Sequence, residues 1–195
     1  MKNVICVNCR KHVEYELKYV KTKTFVKGEE VVYTQIVAHC KECGTEVWSE
    51  EVDDLNSIAP IVAYCEMVGL ITPIQIQEGL KKYNIGSRPL SKLLGWSEVT
   101  ITRYLNGKIP TKEYSDKLME IFNTPEYFEK ILLKNKGKIK PIAYKKALES
   151  LNRTDYNVEE ISCFVVPYNL CANINYTVSK MQGGVNGWHR PIYSC

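Results

Sequence analysis

Two Cys-x-x-Cys pairs, Cys6 with Cys9 and Cys40 with Cys43, constrain the fold more than any other feature of this 195-residue chain. Two intervening residues let the backbone fold back, so that both sulfurs of a pair point at one ion. Two such pairs supply the four thiolates of a tetrahedral site, a ligand set that favours zinc. We therefore predict one structural Zn²⁺ bound by all four cysteines, with no open position for catalysis.

The cysteines also permit other interpretations, which the neighbouring residues and the spacing make less favourable. His12 and His39 are close to the pairs, and either could replace a cysteine as a ligand. A thioredoxin-like redox site is disfavoured, because the motif occurs twice and no βαβ pattern surrounds it. The chain has eight cysteines, and the four outside the pairs are scattered. This placement favours metal binding in a reducing cytoplasm over the disulfide framework of a secreted protein.

The thirty residues between the two pairs predict a β-hairpin. The runs 13–20 and 31–37 are rich in β-branched and aromatic residues, and 27–30 between them is a turn signal. We expect a zinc-ribbon-like hairpin over residues 1–50, with the metal at its open end. So small a segment buries little apolar area, and the metal should therefore supply much of its folding free energy.

Beyond the ribbon, the spacing of apolar residues becomes that of helices, and we predict an all-α domain over residues 57–150. The acidic, polar stretch 49–56 is predicted to be the linker before it. Thr72–Pro73 and Thr124–Pro125 each combine a capping threonine with a proline at the first helical position, so a helix should begin at each. Five helices around one small core fit this pattern.

The stretch 86–110 predicts a helix-turn-helix, the arrangement that lays its second helix in the major groove of DNA. Gly95 can supply the positive φ that the turn needs, and Ser97 stands where the N-cap of the second helix belongs. Gly107 is expected to end that helix. The expected inward-facing residues are Leu90, Leu93, Leu94, Val99 or Ile101, and Leu105.

Arg103 is the predicted main DNA contact, because it is the only long cation in the first two turns of the second helix. A guanidinium can donate two hydrogen bonds to one guanine. Arg88 and Lys108 flank the motif and are better placed for phosphates. An ordinary helical hairpin, with Arg103 paired to a surface carboxylate, is the alternative. The predicted DNA-binding set is Arg103, Thr100, Thr102, Ser97, Arg88, Lys108 and Asn106.

The order of a two-knuckle zinc ribbon and then this motif resembles the MqsA/YgiT-type antitoxins. The segment ITPIQIQEGLKKYNIGSRPLSKLLGWSEVTITRYLNGKIP resembles their Xre-type DNA-binding domain. LGWSEVTITRYLNGKIPTKEYSDKL is also similar to regulators that carry a SocA-like (Panacea) domain after the motif. The resemblance spans residues 1–150, and it implies zinc on the four cysteines and operator contact by Arg103. An asparagine one turn earlier also reads bases in MqsA-type proteins, and Val99 holds that place here.

The last third of the chain is less informative. Residues 126–150 carry seven lysines against three glutamates, which fits either a solvated helix face or a phosphate-binding surface. From residue 151 the composition changes, and we expect a short irregular extension over 151–195. The segment 175–193 faintly resembles the start of a Panacea domain, so the extension could be a remnant of one. A second metal site would have to use Cys163, Cys171, Cys195 and His189, whose spacing follows no established pattern.

Together these features predict an α+β protein: a small N-terminal zinc-ribbon β-hairpin, an all-α helix-turn-helix domain and an irregular C-terminal region. The predicted function is that of a homodimeric, zinc-containing transcriptional regulator, the autorepressing antitoxin of a toxin–antitoxin or phage-defence locus. Its expected partners are a double-stranded DNA operator and a cognate toxin or other protein. The alternative is a protein-interaction module that inhibits a toxin or nuclease without binding DNA.

Composition and motifs narrow the remaining classes. The net charge of +4 permits a nucleic-acid partner without requiring one. With no apolar run of membrane-spanning length and no signal peptide, we expect a cytoplasmic protein without a membrane partner. We do not expect an enzyme, because the sequence contains no HExxH motif, phosphate-binding loop or nucleophile–base pairing.

Overall fold

The structure, a computed structural model, describes residues 3–152 of the chain. In this range a three-stranded antiparallel sheet, ordered β1 (Asn3–Cys6), β2 (Lys11–Val26) and β3 (Glu29–Cys40), precedes seven α-helices. The predicted α+β class is confirmed. Our predictions for the extension, including the Panacea remnant and the second metal site, lie outside the described residues. The helices are α1 (Glu50–Met67), α2 (Pro73–Lys82), α3 (Ser87–Leu93), α4 (Thr100–Leu105), α5 (Lys112–Asn123), α6 (Pro125–Lys134) and α7 (Pro141–Leu151), with a 3₁₀ helix, Lys136–Lys138, before α7.

The hairpin of β2 and β3 is longer than the sequence predicted. The two strands pair without interruption from Tyr15 opposite Cys40 to Val26 opposite Glu29. Only two residues, 27 and 28, form the turn, and both have positive φ, 52° and 88°. Two residues with positive φ are typical of the type I′ turn, whose twist matches that of the flanking strands.

A third strand makes the N-terminal unit more than a simple hairpin. β1 pairs antiparallel with the start of β2, from Asn3 opposite Glu14 to Cys6 opposite Lys11. The sequence pattern did not predict this strand, because four residues carry too little periodicity to be recognised. Pairing with β2 places the first cysteine pair at the same end of the sheet as the end of β3.

The predicted linker over residues 49–56 is wrong, because all but its first residue lie in α1. Glu50, Glu51 and Asp53 occupy the first turn of this helix, where negative charge is favourable near the positive end of the helix dipole. Val52 is buried in the same apolar cluster as Val13 and other sheet residues. An acidic, polar stretch therefore begins a helix that packs on the sheet. The division into separate domains stays a prediction.

Asn56 of α1 covers part of the outer edge of β3. Its side-chain oxygen accepts the backbone N–H of Ile36 at 2.8 Å, and its side-chain nitrogen donates to the carbonyl oxygen of Ile36 at 2.7 Å. The amide thus takes the place of a neighbouring strand at this position. Ile36 is only 3% exposed, so water cannot readily replace either bond.

We expect Asn56→Ala to lower the free energy of unfolding by about 1–3 kcal/mol, because two buried backbone groups lose their partners. The matched control is Ser57→Ala on the next residue, whose exposed hydroxyl bonds only within α1, to Asp54, at 2.7 Å. That change should stay within about 0.5 kcal/mol of the wild type. Urea unfolding of the metal-loaded proteins measures both. Equal effects of the two substitutions would contradict the edge-capping role.

A second apolar core lies among the helices. Thr72 begins α2 as predicted: its hydroxyl accepts the N–H of Gln75 at 3.1 Å, and the Gln75 side chain accepts the N–H of Thr72 at 2.9 Å. We predicted five helices, but six, α2 to α7, contribute to this core within the described range. The fully buried residues of this core include Tyr83, Phe128, Ile71, Ile76, Leu90, Leu93, Ile101, Leu118, Ile121 and Leu132.

No helix in residues 3–152 has the length and apolar character needed to cross a membrane.

Candidate metal centre and nucleic-acid interface

The structure brings the four predicted cysteines together at one end of the sheet. The Sγ atoms of Cys6, Cys9, Cys40 and Cys43 all lie within 4.8 Å of one another. Cys6 and Cys43 are 3.6 Å apart, and Cys9 and Cys40 are 3.9 Å apart. Four sulfurs around zinc at about 2.3 Å form a tetrahedron with edges of about 3.8 Å. The separations therefore fit a tetrahedral metal site, and all four residues are free thiols, without a disulfide.

The two knuckles share one backbone design. After the first pair, the N–H of Arg10 donates to the carbonyl oxygen of Cys6 at 2.8 Å. After the second pair, the N–H of Gly44 donates to the carbonyl oxygen of Cys40 at 2.9 Å. Arg10 and Gly44 both have positive φ, 53° and 73°, which turns the chain back behind the sulfurs. The first sulfur of each pair, on Cys6 and on Cys40, also accepts a backbone N–H at 3.4 Å.

The four sulfurs differ in exposure and in acidity. Cys6 and Cys40 are buried, Cys9 is half-buried and Cys43 is exposed. Hydrogen bonds with Thr45, first, and then with Asn8 lower the pKa of Cys43 to about 5. The bond to Cys43, together with burial, raises the pKa of Cys9 to about 12. Because metal ligation requires thiolates, a divalent cation would displace the proton that Cys9 retains.

The histidine alternative is not supported in residues 3–152, because the ligand group there consists of the four cysteines alone. His39 has another role: its Nδ1 lies 3.0 Å from the carbonyl oxygen of Gly44, which braces the second knuckle. His12 lies opposite Ile5 in the ladder between β1 and β2. Neither histidine takes the place of a cysteine in the described cluster.

Two exposed ion pairs link the second knuckle to the start of β2. Lys11, just after the first pair, lies 2.7 Å from Glu42, within the second. Lys41, also within the second pair, lies 2.8 Å from Glu14 on β2, and its hydrogen bond lowers the pKa of that carboxyl. Exposed pairs contribute little to stability. In the first ion pair the lysine lies on β2, and in the other it lies within the second knuckle. This alternation of charge nevertheless favours one register of the knuckles.

α3 and α4 are two short helices joined by a turn, as predicted for the stretch 86–110. Gly95 has the expected positive φ, 72°, and Gly107, with φ of 88°, follows the end of α4. Ile101 is fully buried, whereas Val99 is 41% exposed. Ile101 is therefore the inward-facing residue between the two that the sequence left open. Leu90 and Leu93 of α3 are also buried.

The predicted N-cap role of Ser97 is wrong. α4 begins at Thr100, with Val99 at the N-cap position and no side-chain capping bond. The carbonyl oxygen of Ser97 accepts the N–H of Thr100 at 2.9 Å, so a separate turn precedes the helix. Glu98 in this turn is paired with Lys92 of α3 at 2.9 Å. This pairing also ties the turn to α3.

The predicted DNA-binding residues fall into two groups. Thr102 is used internally, because its hydroxyl lies 3.0 Å from that of Ser87 and links α4 to the start of α3. Arg103 is exposed, and no carboxylate of the described residues lies in ion-pair distance of it. The alternative of a surface ion pair thus lacks a partner in this part of the chain. Also exposed are Ser97, Arg88, Lys108 and Asn106, while Thr100 is half-buried.

Sequence reasoning missed the residues that support the sulfurs. Thr45 and Asn8 adjust the acidity of Cys43, and Arg10 adopts a conformation usually left to glycine or asparagine. Only Gly44 carried a local signal, since glycine after a knuckle is typical of positive φ. Neither a protein-family model nor a curated protein matches this chain. The resemblance to MqsA-type antitoxins therefore stays a prediction.

Proposed function

We propose that this protein is a zinc-containing transcriptional regulator that binds duplex DNA through α4. The observation that carries the proposal is an exposed Arg103, without a carboxylate partner in the described residues, on the second helix of a helix-turn-helix. An unpaired guanidinium is free to donate to an anionic or acceptor-rich partner. Guanine O6 and N7 in the major groove match its two parallel donors.

The spacing on α4 supports the same function. Thr100, Arg103 and Asn106 are three residues apart and so share one stripe of the helix. Ile101 and Tyr104 occupy the opposite, buried side. Val99 exposes an apolar side chain at the start of α4, where MqsA-type proteins carry a base-reading asparagine. An apolar group there can contact the methyl of thymine, so we expect a different base preference at that position.

The four-cysteine site suits a structural role. Its four sulfurs could fill every position of a tetrahedral ion, which would leave none for water or substrate. We assign zinc to it, because thiolates prefer soft or borderline ions and tetrahedral four-sulfur sites are typical of zinc. The ion would hold the two knuckles together and so stabilise the sheet.

In this proposal the protein is cytoplasmic and represses its own toxin–antitoxin or phage-defence operon. It acts as a homodimer, because two copies would read a two-fold symmetric operator.

The second candidate function is that of an interaction module that inhibits a toxin or nuclease without binding DNA. One observation favours it: Tyr19, Phe25 and Val32 are 42%, 72% and 51% exposed. The strand register places them on one face of the hairpin. Exposed apolar groups on one face suit a protein partner.

We expect Arg103→Ala to weaken binding to DNA from upstream of its own gene by about 5- to 150-fold, equivalent to roughly 1–3 kcal/mol. Binding to random duplex should fall less, because the lost contacts read bases. The matched control is Lys108→Ala, which should weaken both duplexes about equally and reduce the salt slope by about one. Fluorescence anisotropy across a salt titration measures these effects. A folded Arg103→Ala protein with full operator affinity would favour the interaction module.

A further inference from the structure

One short stretch of this chain carries a positive charge equal to the net charge of the whole chain. Residues 134–140, KNKGKIK, carry four lysines and no acidic residue, and we name them the lysine segment. The remaining 22 Lys and Arg residues balance the 22 Asp and Glu residues of the whole chain. The lysine segment therefore holds a charge equal to the entire net charge of +4.

The lysine segment has a well-anchored backbone. The backbone N–H and the side chain of Asn135 both donate to the carbonyl oxygen of Ile131, each at 3.1 Å, and so close α6. The N–H of Lys138 donates to the carbonyl oxygen of Asn135 at 2.9 Å. Ile139 is 9% exposed and belongs to the core of α2 to α7. The four exposed lysines are therefore displayed from an ordered turn, which lowers the entropy lost on binding.

The charges of the lysine segment are not neutralised within the protein. None of its four lysines has an ion-pair partner in residues 3–152. Lys136 lies over the ring of Tyr144, with Nζ 5.1 Å from the ring centre. Lys140 stands at the N-cap of α7, whose first turn contains no acidic residue. The positive end of that helix dipole therefore adds to the potential of the lysines, which favours an anionic partner.

The fold places the lysine segment beside the helix-turn-helix. Its 3₁₀ helix lies against α3, the first helix of the motif. In helix-turn-helix proteins the first helix crosses the sugar-phosphate backbone while the second enters the groove. Arg88 on α3 is exposed and adds a further positive charge to this region.

We propose that the lysine segment is a second DNA-contact surface, which grips phosphates beside the groove that receives α4. This inference rests on the proposed function and deepens it. Lysine ammonium groups interact with phosphate as point charges, without reading bases. The lysine segment therefore supplies affinity that is independent of sequence, and α4 supplies the discrimination.

The test replaces Lys136, Lys138 and Lys140 together by glutamine in the full chain. Each lost phosphate contact reduces the slope of log K against log salt by about 0.9, so the slope should fall by about 2–3. Operator and random duplex should be weakened by the same factor, and the ratio of the two affinities should stay unchanged. Circular dichroism checks that the variant is folded.

The matched control removes the same charge from exposed lysines that already have carboxylate partners. These are Lys23, Lys112 and Lys145, paired with Glu30, Asp116 and Glu149. The wild-type salt slope should persist in this triple variant.

The outcomes separate the two ideas. A wild-type slope in the lysine-segment variant, as expected if it binds an acidic protein instead, overturns the inference and leaves the proposed function standing. Equal flattening in both triple variants also overturns it, since net charge would then explain the effect. If the wild-type protein shows no salt-dependent duplex binding, the proposed function fails as well.

Discussion

Cys40→Ser is expected to release the metal and unfold the sheet together with the first half of α1, while the α2–α7 core still unfolds cooperatively. Cys40 is 1% exposed, and its sulfur lies 3.9 Å from that of Cys9. Serine would replace one of four thiolates by a hydroxyl that seldom ligates zinc. Structural zinc contributes apparent binding energies of about 10–16 kcal/mol in small zinc-finger peptides at neutral pH. The apolar cluster of the sheet is too small to compensate for such a loss.

Elemental analysis of protein purified without chelator gives the metal content, and denaturant unfolding followed by circular dichroism gives the two transitions. The control is Cys65→Ser on α1. Cys65 is fully buried but lies outside the cluster, and burial raises the pKa of its thiol to about 11. This variant should retain one ion per chain despite a modest loss of stability. Full metal occupancy in Cys40→Ser, or none in the wild type, would contradict the assignment.

Tyr83→Ala is expected to have the reciprocal effect: it should destabilise the α2–α7 core by about 3–5 kcal/mol without releasing the metal. Tyr83 is fully buried directly after α2. Its ring stacks on that of Phe128 with centres 4.0 Å apart. Its hydroxyl donates to the carbonyl oxygen of Ile121 near the end of α5, at 3.1 Å. One side chain thus joins α2, α5 and α6, and its removal leaves a large cavity.

Tyr83→Phe separates the ring from the hydroxyl. It keeps the stacking and removes the hydroxyl, which also lies 3.4 Å from the carbonyl oxygen of Phe122, so it should cost about 1 kcal/mol. Lys82 still donates to the carbonyl oxygen of Phe122 at 2.8 Å and partly satisfies the end of α5. Metal content and urea unfolding are measured for both variants. Loss of metal from the alanine variant would contradict the independence of the metal site from the α2–α7 core. An alanine variant as stable as the phenylalanine variant would contradict the packing role of the Tyr83 ring.

Local sequence signals were sufficient wherever one short stretch decides the geometry. The capping threonine and first-turn proline at 72–73 set the start of α2. The need for positive φ explains Gly95 and Gly107. The paired cysteines predicted a four-sulfur cluster, because their spacing lets both sulfurs of each pair point at one site. In each case the determining interactions are within a few residues along the chain.

The same signals failed where distant parts of the chain decide. Residues 50–56 are acidic and, taken alone, suit a linker. In the structure they belong to α1, because Val52 is buried against the sheet. β1 forms only because the first knuckle returns the chain to β2. The contact of Thr102 with Ser87, fifteen positions earlier, was likewise not predicted from the sequence.

The sequence by itself therefore determined the four cysteines of the cluster, several helix starts and the turn between α3 and α4. Only the tertiary structure decided that Ile101 faces inward, that Ser97 does not cap α4, and that the lysine segment lies against α3. The physical reason is that burial and charge neutralisation depend on which surfaces meet. Lys92 holds Glu98 in the turn, and Ile139 anchors the lysine segment in the helical core. Neither contact can be inferred from residues adjacent in sequence, because each forms between elements that only the folded chain brings together.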